Sequence, residues 1–236
     1  MTRPIISPDR IYHVVSRGVD GRNIFLDKED YFRFIHNLFE FNNKNLLPSN
    51  TYNFGRANSS GLRNPNIGEG KRKPRTLLVE ILVFCLMKNH YHLLLRPFSE
   101  RGLPFFMKRL NTGYANYFNN KYERKGTLFQ GRYKLIAVTN DPHFVHLPYY
   151  IHANPLDLIM PSWREKEIKN YKKAMEFLEN YRWSSYPDYI GKKNFPSVTQ
   201  REFLTEFLGG PERYKKDTVK WLKEMNIEKV GDFVLE

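Results

Sequence analysis

Two short stretches of the chain hold side chains that could do chemistry together. In CLMKNHYHLLL, Cys85 to Leu95, His90 and His92 stand one residue apart inside an apolar run. Successive side chains of a strand alternate between faces, so the two imidazoles share one face and Tyr91 points to the other. Two imidazoles so placed can grip one divalent metal ion. They can equally be one structural histidine and one incidental one, and a His-x-His spacing does not choose between these readings. In YYIHANP, Tyr149 to Pro155, a helix would set Tyr150 and Asn154 one turn apart on a common face. A phenol helped to ionise is a covalent nucleophile, and an amide oxygen one turn away can complete a metal shell. The competing reading is a tyrosine used for packing or base stacking.

The elements that would carry these residues follow from periodicity. RIYHVVSRG, Arg10 to Gly18, alternates as a strand and stops at glycine. DKEDYFRFIHNLFEFNN opens with acidic residues suited to a helix N-terminus, and Phe32, Ile35, Leu38 and Phe39 recur at helical spacing. From Asn43 to Arg75 the chain turns rich in Asn, Gly, Ser, Pro and basic residues without a sustained period, which reads as a long loop. TLLVEILVFCLMKNHYHLLLRP then gives two strands around a tight turn at Lys88-Asn89. A helix through GLPFFMKRLNTGYANYFNNKYERKG closes near Gly126, a strand follows in LFQGRYKLIAV, and a helix in DPHFVHLPYYIHANP stops at Pro155. This is the order of the ferredoxin-like β-α-β-β-α-β unit. The fold class expected is therefore α+β, with an antiparallel sheet in residues 1–155. Residues 156–236 turn to Lys- and Glu-rich helical pattern in REKEIKNYKKAMEFLENY, TQREFLTEFLGG and PERYKKDTVKWLKEMN, a helical C-terminal extension.

Composition narrows the partner. Lys and Arg number 38 against 25 Asp and Glu, a net charge of +13, and the sequence pI is about 9.7. An excess of that size points to a polyanion, nucleic acid before an anionic membrane surface. Aromatic residues make up 15% of the chain, and basic grooves with aromatic platforms are how single strands are held. Mean hydropathy is −0.61, no apolar run reaches bilayer length, and MTRPIISPDR lacks a signal-peptide core. The one cysteine, Cys85, excludes an internal disulfide framework and fits a reducing compartment. A cytoplasmic protein without a membrane role is expected, with Cys85 an inert core thiol.

His90-Tyr91-His92 within LMKNHYHLLL, with YIHANP downstream, resembles the IS200-like tyrosine transposases, particularly their REP-associated branch. These are HUH single-strand DNA endonucleases. The resemblance runs through YHVVSRGVDGRNIFLDKEDYFRFI and YANYFNNKYERKGTLFQGRYK, covers most of Arg10 to Pro155, and echoes more weakly in WSSYPDYIG. It implies that His90 and His92 bind a divalent cation, that Asn154 stands where the third, amide-type ligand stands, and that Tyr150 is the nucleophile. It also implies a 5′-phosphotyrosine intermediate and single-stranded DNA flanked by hairpin elements as partner. The cation would be Mg²⁺ or Mn²⁺: the first favours oxygen ligands, and two histidines also suit the second. Tyr149 is the rival nucleophile, and Tyr150 is preferred because it has the i+4 partner Asn154 and matches the motif. His13, His143 and His146 read as packing or DNA contacts.

For DNA binding, Lys108, Arg109, Lys121, Arg124, Lys125, Arg132 and Lys134 alternate with aromatic residues between Arg101 and Lys134. The loop and the C-terminal extension exceed a minimal relative, so both a monomer and a homodimer stay open. Two other functions are carried forward. One is a domesticated or non-cleaving ferredoxin-like module that holds nucleic acid. The other is a metal-dependent phosphohydrolase with a water nucleophile, for which Tyr150 would be dispensable.

Overall fold

The computed structural model describes residues 4–45, 75–138 and 141–224. Its centre is one antiparallel sheet of β1 (Ile11–Arg17), β2 (Val79–Leu86), β3 (His90–Pro97) and β4 (Lys134–Val138), in the spatial order β2-β3-β1-β4. Helices α1 (Lys28–Glu40) and α2 (Gly102–Lys121) complete the β-α-β-β-α-β order expected from the sequence. Most of the loop expected over Asn43–Arg75 lies outside the described residues.

Helix α1 starts at a reciprocal cap. The Asp30 backbone N–H donates to the Asp27 carboxylate at 3.0 Å, and the Asp27 N–H donates back to Asp30 at 3.3 Å. Its buried stripe is Tyr31, Phe34, Ile35 and Leu38, rotated from the one read in the sequence. Phe32 is 41% exposed and meets the Trp183 ring edge-on instead. Helix α2 closes at Lys121, earlier than Gly126. Gly113 lets it approach α1, since a Cβ there would lie 2.4 Å from the Phe41 ring. The strand expected over Leu128–Val138 is ordered as strand only from Lys134; the preceding residues turn at Gly131, whose φ is +63°.

The strand pleat splits the sheet into two unlike faces. On the first, Tyr12, Val14, Tyr91, Leu93 and Leu95 pack with α1 and α2 in one apolar cluster. The second face meets α3 (Asp141–Ala153), followed by 3-10 turns at Asn154–Leu158 and Pro161–Glu165. Around it stand α4 (Tyr171–Asn180), α5 (Tyr186–Tyr189), α6 (Glu202–Phe207) and α7 (Pro211–Glu224). Leu82, Val83, Cys85 and Leu94 of the sheet share one buried cluster with Tyr150, Trp163, Leu178, Tyr214 and Leu222, so residues on both sides of position 155 build a single core.

The segment after α4 also covers the outer edge of β2. Leu86 N–H donates to the Trp183 carbonyl at 2.9 Å, and Ser185 N–H donates to the Phe84 carbonyl at 2.9 Å. Ser185 Oγ accepts from Phe84 N–H at 3.0 Å, and Tyr189 Oη–H donates to the Leu82 carbonyl at 2.7 Å. An edge strand so paired no longer offers a template to another chain. The helix read across Arg164–Tyr181 is shorter than its composition suggests. It begins at Tyr171, behind the Asn170 cap, and Pro161 to Glu165 instead form a 3-10 turn.

Candidate active site on the histidine face

Strand register places the two histidines. Val15 pairs with His92 and Arg17 with His90, and directly paired residues lie on the same face. The row across the sheet through His92 therefore runs Cys85, His92, Val15, Lys134. Tyr91 points the other way, where its ring meets Phe34 at 4.7 Å between centroids and its hydroxyl donates to Asn111. His92 is wholly buried and His90 is 5% exposed; their ring centroids lie 4.9 Å apart.

Helix α3 brings the tyrosine to this pair. Pro148 sits inside the helix and removes a helical donor two residues before Tyr150. The Tyr150 ring lies edge-on to His92, centroids 6.2 Å apart. Asn154, where the α-helix tightens into a 3-10 turn, donates from Nδ2 to the Tyr150 carbonyl at 2.8 Å. Tyr149 is carried away from the histidines: it stacks on Tyr214 at 4.8 Å and on Trp221 at 6.0 Å. Burial, with the Asp217 charge adding, pushes its phenol up to about 12.

The donor chemistry suits a divalent ion. Asn89 Nδ2 donates to the Gly21 carbonyl at 3.2 Å, so its Oδ1 turns to His90 Nδ1, 2.7 Å away. That contact assigns the His90 proton to Nδ1 and the lone pair to Nε2. His92 Nδ1 lies 3.0 Å from His13 Nε2, the two rings stacked at 5.2 Å. An imidazole oriented through one nitrogen so that the other can ligate is the usual arrangement at metal sites. The Asn154 amide is fixed as well, with Nδ2 on the Tyr150 carbonyl and Oδ1 accepting from Arg164 Nη2 at 2.9 Å. Among the described residues no group of three or more His, Cys, Asp or Glu could hold a metal. An ion here would rest on two imidazoles and one amide oxygen.

Arg164 gathers the rest of the site. Its Nη1 donates to Tyr150 Oη at 2.7 Å, and its Nε and Nη2 donate to Asp157 at 3.2 and 2.7 Å. Trp163 Nε1 donates to the same carboxylate, and the guanidinium lies 4.9 Å from the Trp163 ring. Neither Arg164 nor Asp157 stood out in the sequence: Arg164 opens a Lys- and Glu-rich stretch whose composition reads as solvated helix, and Asp157 is a lone carboxylate in the apolar run LDLIMPSW. His13 and Arg17 had a usable signal: alternation along β1 puts both on the face of Val15, hence of the histidines. His146 is a packing residue, accepting from Trp221 Nε1 at 3.0 Å.

The seven basic residues singled out for DNA do not form one patch. Lys134 shares the row of His92, and Lys125 and Arg132 are exposed in the chain leading to it. Lys108 is exposed near the start of α2, about 20 Å along the helix from Lys121. Beside Lys108, Arg109 donates to the Asn43 carbonyl at 2.6 Å and lies over the Phe105 ring. Lys121 is enclosed by carboxylates, 2.7 Å from Asp27, 2.9 Å from Asp30 and 3.4 Å from Glu29. Burial lowers the pKa of its ammonium, but the hydrogen bonds to Asp27 and Asp30 outweigh that and hold it above the ordinary lysine range. Arg124 donates to Asn119 at 3.3 Å.

An antiparallel sheet that presents a histidine pair beneath a helix-borne tyrosine defines the class of site. Residues 72–154, which contain His90, His92, Tyr150 and Asn154, match the family described as transposase IS200 like. That match supports a transposase role. Among solved structures the chain is similar to the REP-associated tyrosine transposase bound to a REP hairpin. The identity is 13% and the TM-score 0.46, over 84% of this chain and 89% of that one. No curated protein matches the chain. No helix among the described residues is long and apolar enough to cross a membrane.

Proposed function

We propose that the protein cleaves and rejoins single-stranded DNA beside hairpin elements, with Tyr150 as nucleophile. The observation that carries this is the convergence of Tyr150 on His92, 6.2 Å between ring centroids, with Asn154 one turn further along and His90 beside His92. In the reaction Tyr150 Oη gives up its proton to solvent and bonds to phosphorus. The P–O3′ bond breaks, its electron pair leaves on the 3′ oxygen, and that oxygen takes a proton from water. The products are a 5′-phosphotyrosine and a free 3′-hydroxyl. Attack by another 3′-hydroxyl reverses the step, so rejoining draws on the energy kept in the phosphotyrosine ester. Mg²⁺ or Mn²⁺ held by His90, His92 and Asn154 would supply polarisation of the scissile phosphate. The protein's own residues bring the phenol to the phosphate and keep the imidazoles in one tautomer.

The test uses single-stranded oligonucleotides tiling the DNA that flanks the coding sequence, some containing a hairpin. The protein should form a covalent adduct at a single-stranded position, and Tyr150→Phe should form none while binding DNA with undiminished affinity. An adduct formed by Tyr150→Phe, or lost only in a Tyr149 variant, would refute the assignment. Cleavage by Tyr150→Phe without an adduct would establish the phosphohydrolase reading. Binding by the unaltered protein without any cleavage would establish the non-cleaving module.

A further inference from the structure

We infer that Arg164 receives the scissile phosphate and hands the nucleophile over to it; this rests on Tyr150 being the nucleophile. Tyr150 has no exposed surface, so a phosphodiester cannot reach its oxygen while every neighbour stays in place. The Arg164 side chain is 19% exposed and donates directly to that oxygen. It is therefore the cationic group that an incoming phosphate meets at the buried phenol. A guanidinium presents donors in a planar fork matched to phosphate oxygens, and a phosphate anion is a stronger acceptor than a neutral phenol.

The anchoring of the guanidinium determines which contact is exchanged. Asp157 takes its Nε and Nη2 edge, and Asn154 takes a second Nη2 donor. Of these contacts, the one from the Nη1 corner goes to the weakest acceptor, the Tyr150 phenol. Exchange there moves one hydrogen bond from the phenol to a non-bridging phosphate oxygen without moving the guanidinium. The phenol oxygen is released at the place where the phosphorus has just been docked. Asp157 keeps Arg164 from following the phosphate outward, so the strand must come to Tyr150. The same contact would hold the phosphate oxygens as charge builds on them during attack.

The experiment uses the full chain and the oligonucleotides that it cleaves, each with an ordinary or a methylphosphonate linkage at the scissile position. Affinities are measured with chelator present, so that no cleavage intervenes. The unaltered protein should bind the ionised linkage more tightly, and Arg164→Gln should lose that preference and slow adduct formation by about a hundredfold. Arg164→Lys, which keeps the charge without the fork, should retain the preference and lose part of the rate. It also provides the test if the Gln variant does not fold. A Gln variant that forms adduct at the unaltered rate, or faster, would overturn the inference, the faster rate making Arg164 only a cover. So would a preserved preference for the ionised linkage, or equal loss of affinity for both linkages in both variants. If Tyr150→Phe still forms an adduct, the nucleophile assignment fails instead. If no oligonucleotide is cleaved, the same linkage pair placed through the hairpin-flanking strand still decides Arg164 by affinity alone.

Discussion

The two faces of the sheet are built by different rules. On the face covered by α1 and α2, the sheet's side chains fill space, and the buried polar groups Asp30, Asn37 and Asn42 lie on α1 or just after it. Phe25, Phe34, Tyr91 and Tyr114 meet one another there at ring distances of 4.7 to 5.4 Å. The opposite face also excludes water, yet it buries His13, His92, His152, Asn154 and Ser185 completely. Polar groups lose several kcal/mol on burial unless they find partners. Here the partners are other side chains of the same face: His13 for His92, Arg164 for Asn154, Ser185 and Tyr214 for His152. A face that accepts so much desolvation and recovers it through oriented hydrogen bonds fixes directions as well as volume, and reactive groups need fixed directions.

The largest expected effect breaks the comparison at its centre. His90→Ala or His92→Ala should lower adduct formation by about 10³-fold, the scale of losing charge stabilisation at the phosphate. Tyr91 lies between them in sequence but on the other face, so Tyr91→Phe should leave the rate unchanged. It should cost only about 1 kcal/mol of stability, for the hydrogen bond to Asn111. Calorimetric titration with Mn²⁺ separates metal binding from packing. Unchanged affinity in the double histidine variant would end the metal reading, whatever the rate.

How much of this was legible in the sequence follows the same division. The strand-helix order, the shared face of His90 and His92, and the one-turn spacing of Tyr150 and Asn154 are local periodicities, and local periodicity survives folding. The α1 stripe was read one position off because Phe32 is apolar yet packs outside the first core, against Trp183. Tertiary context decides such cases. Lys121 was read as a DNA contact from charge alone; only the cap of α1, far away in sequence, reveals its acidic surroundings. Arg164 had no local signature at all. Its contacts with Tyr150 and Asn154 depend on two 3-10 turns folding back over α3, which neither composition nor periodicity encodes.

A smaller effect tests the burial that sets the histidine face apart. His152 bonds Tyr214 Oη and Ser185 Oγ, both at 2.7 Å, and burial lowers its pKa from 6.5 to about 3. Its ring neighbours are Tyr186, Tyr189 and Tyr214. Burial raises all three phenols above the ordinary tyrosine range, so none of them titrates in acid. The folded pKa lies below the unfolded one, so the unfolded chain binds the proton first. The stability held by neutral His152 is therefore complete above about pH 6.5 and is lost as pH falls toward 3, with a slope of at most about 1.4 kcal/mol per unit. Urea unfolding at pH 6.5 and pH 5 should show the unaltered protein losing about 2 kcal/mol more than His152→Gln. Parallel losses in the two proteins would contradict this account.

The smallest effect concerns two lysines that composition treats alike. Lys134 lies in the row of His92 and Val15, on the face where the strand would be held. Lys121 stands at the far end of α2 among Asp27, Glu29 and Asp30, and phosphate approaching it would meet three carboxylates as well. A cation that lies away from the path of the strand neutralises no phosphate, so it adds nothing to the salt dependence of binding. For single strands each phosphate neutralised contributes about 0.7 to the slope of log K against log salt. Lys134→Ala should therefore weaken binding of a hairpin-flanked single strand and reduce that slope by about 0.7. Lys121→Ala should leave the slope unchanged and lower the unfolding midpoint, because the buried Asp30 keeps its hydrogen bonds to Tyr117, Tyr122 and the backbone but loses its cationic partner. Fluorescence anisotropy at several salt concentrations, beside urea unfolding, reads both quantities on the same variants. A slope reduced by Lys121→Ala and untouched by Lys134→Ala would move the DNA path to the other side of the molecule, away from Tyr150.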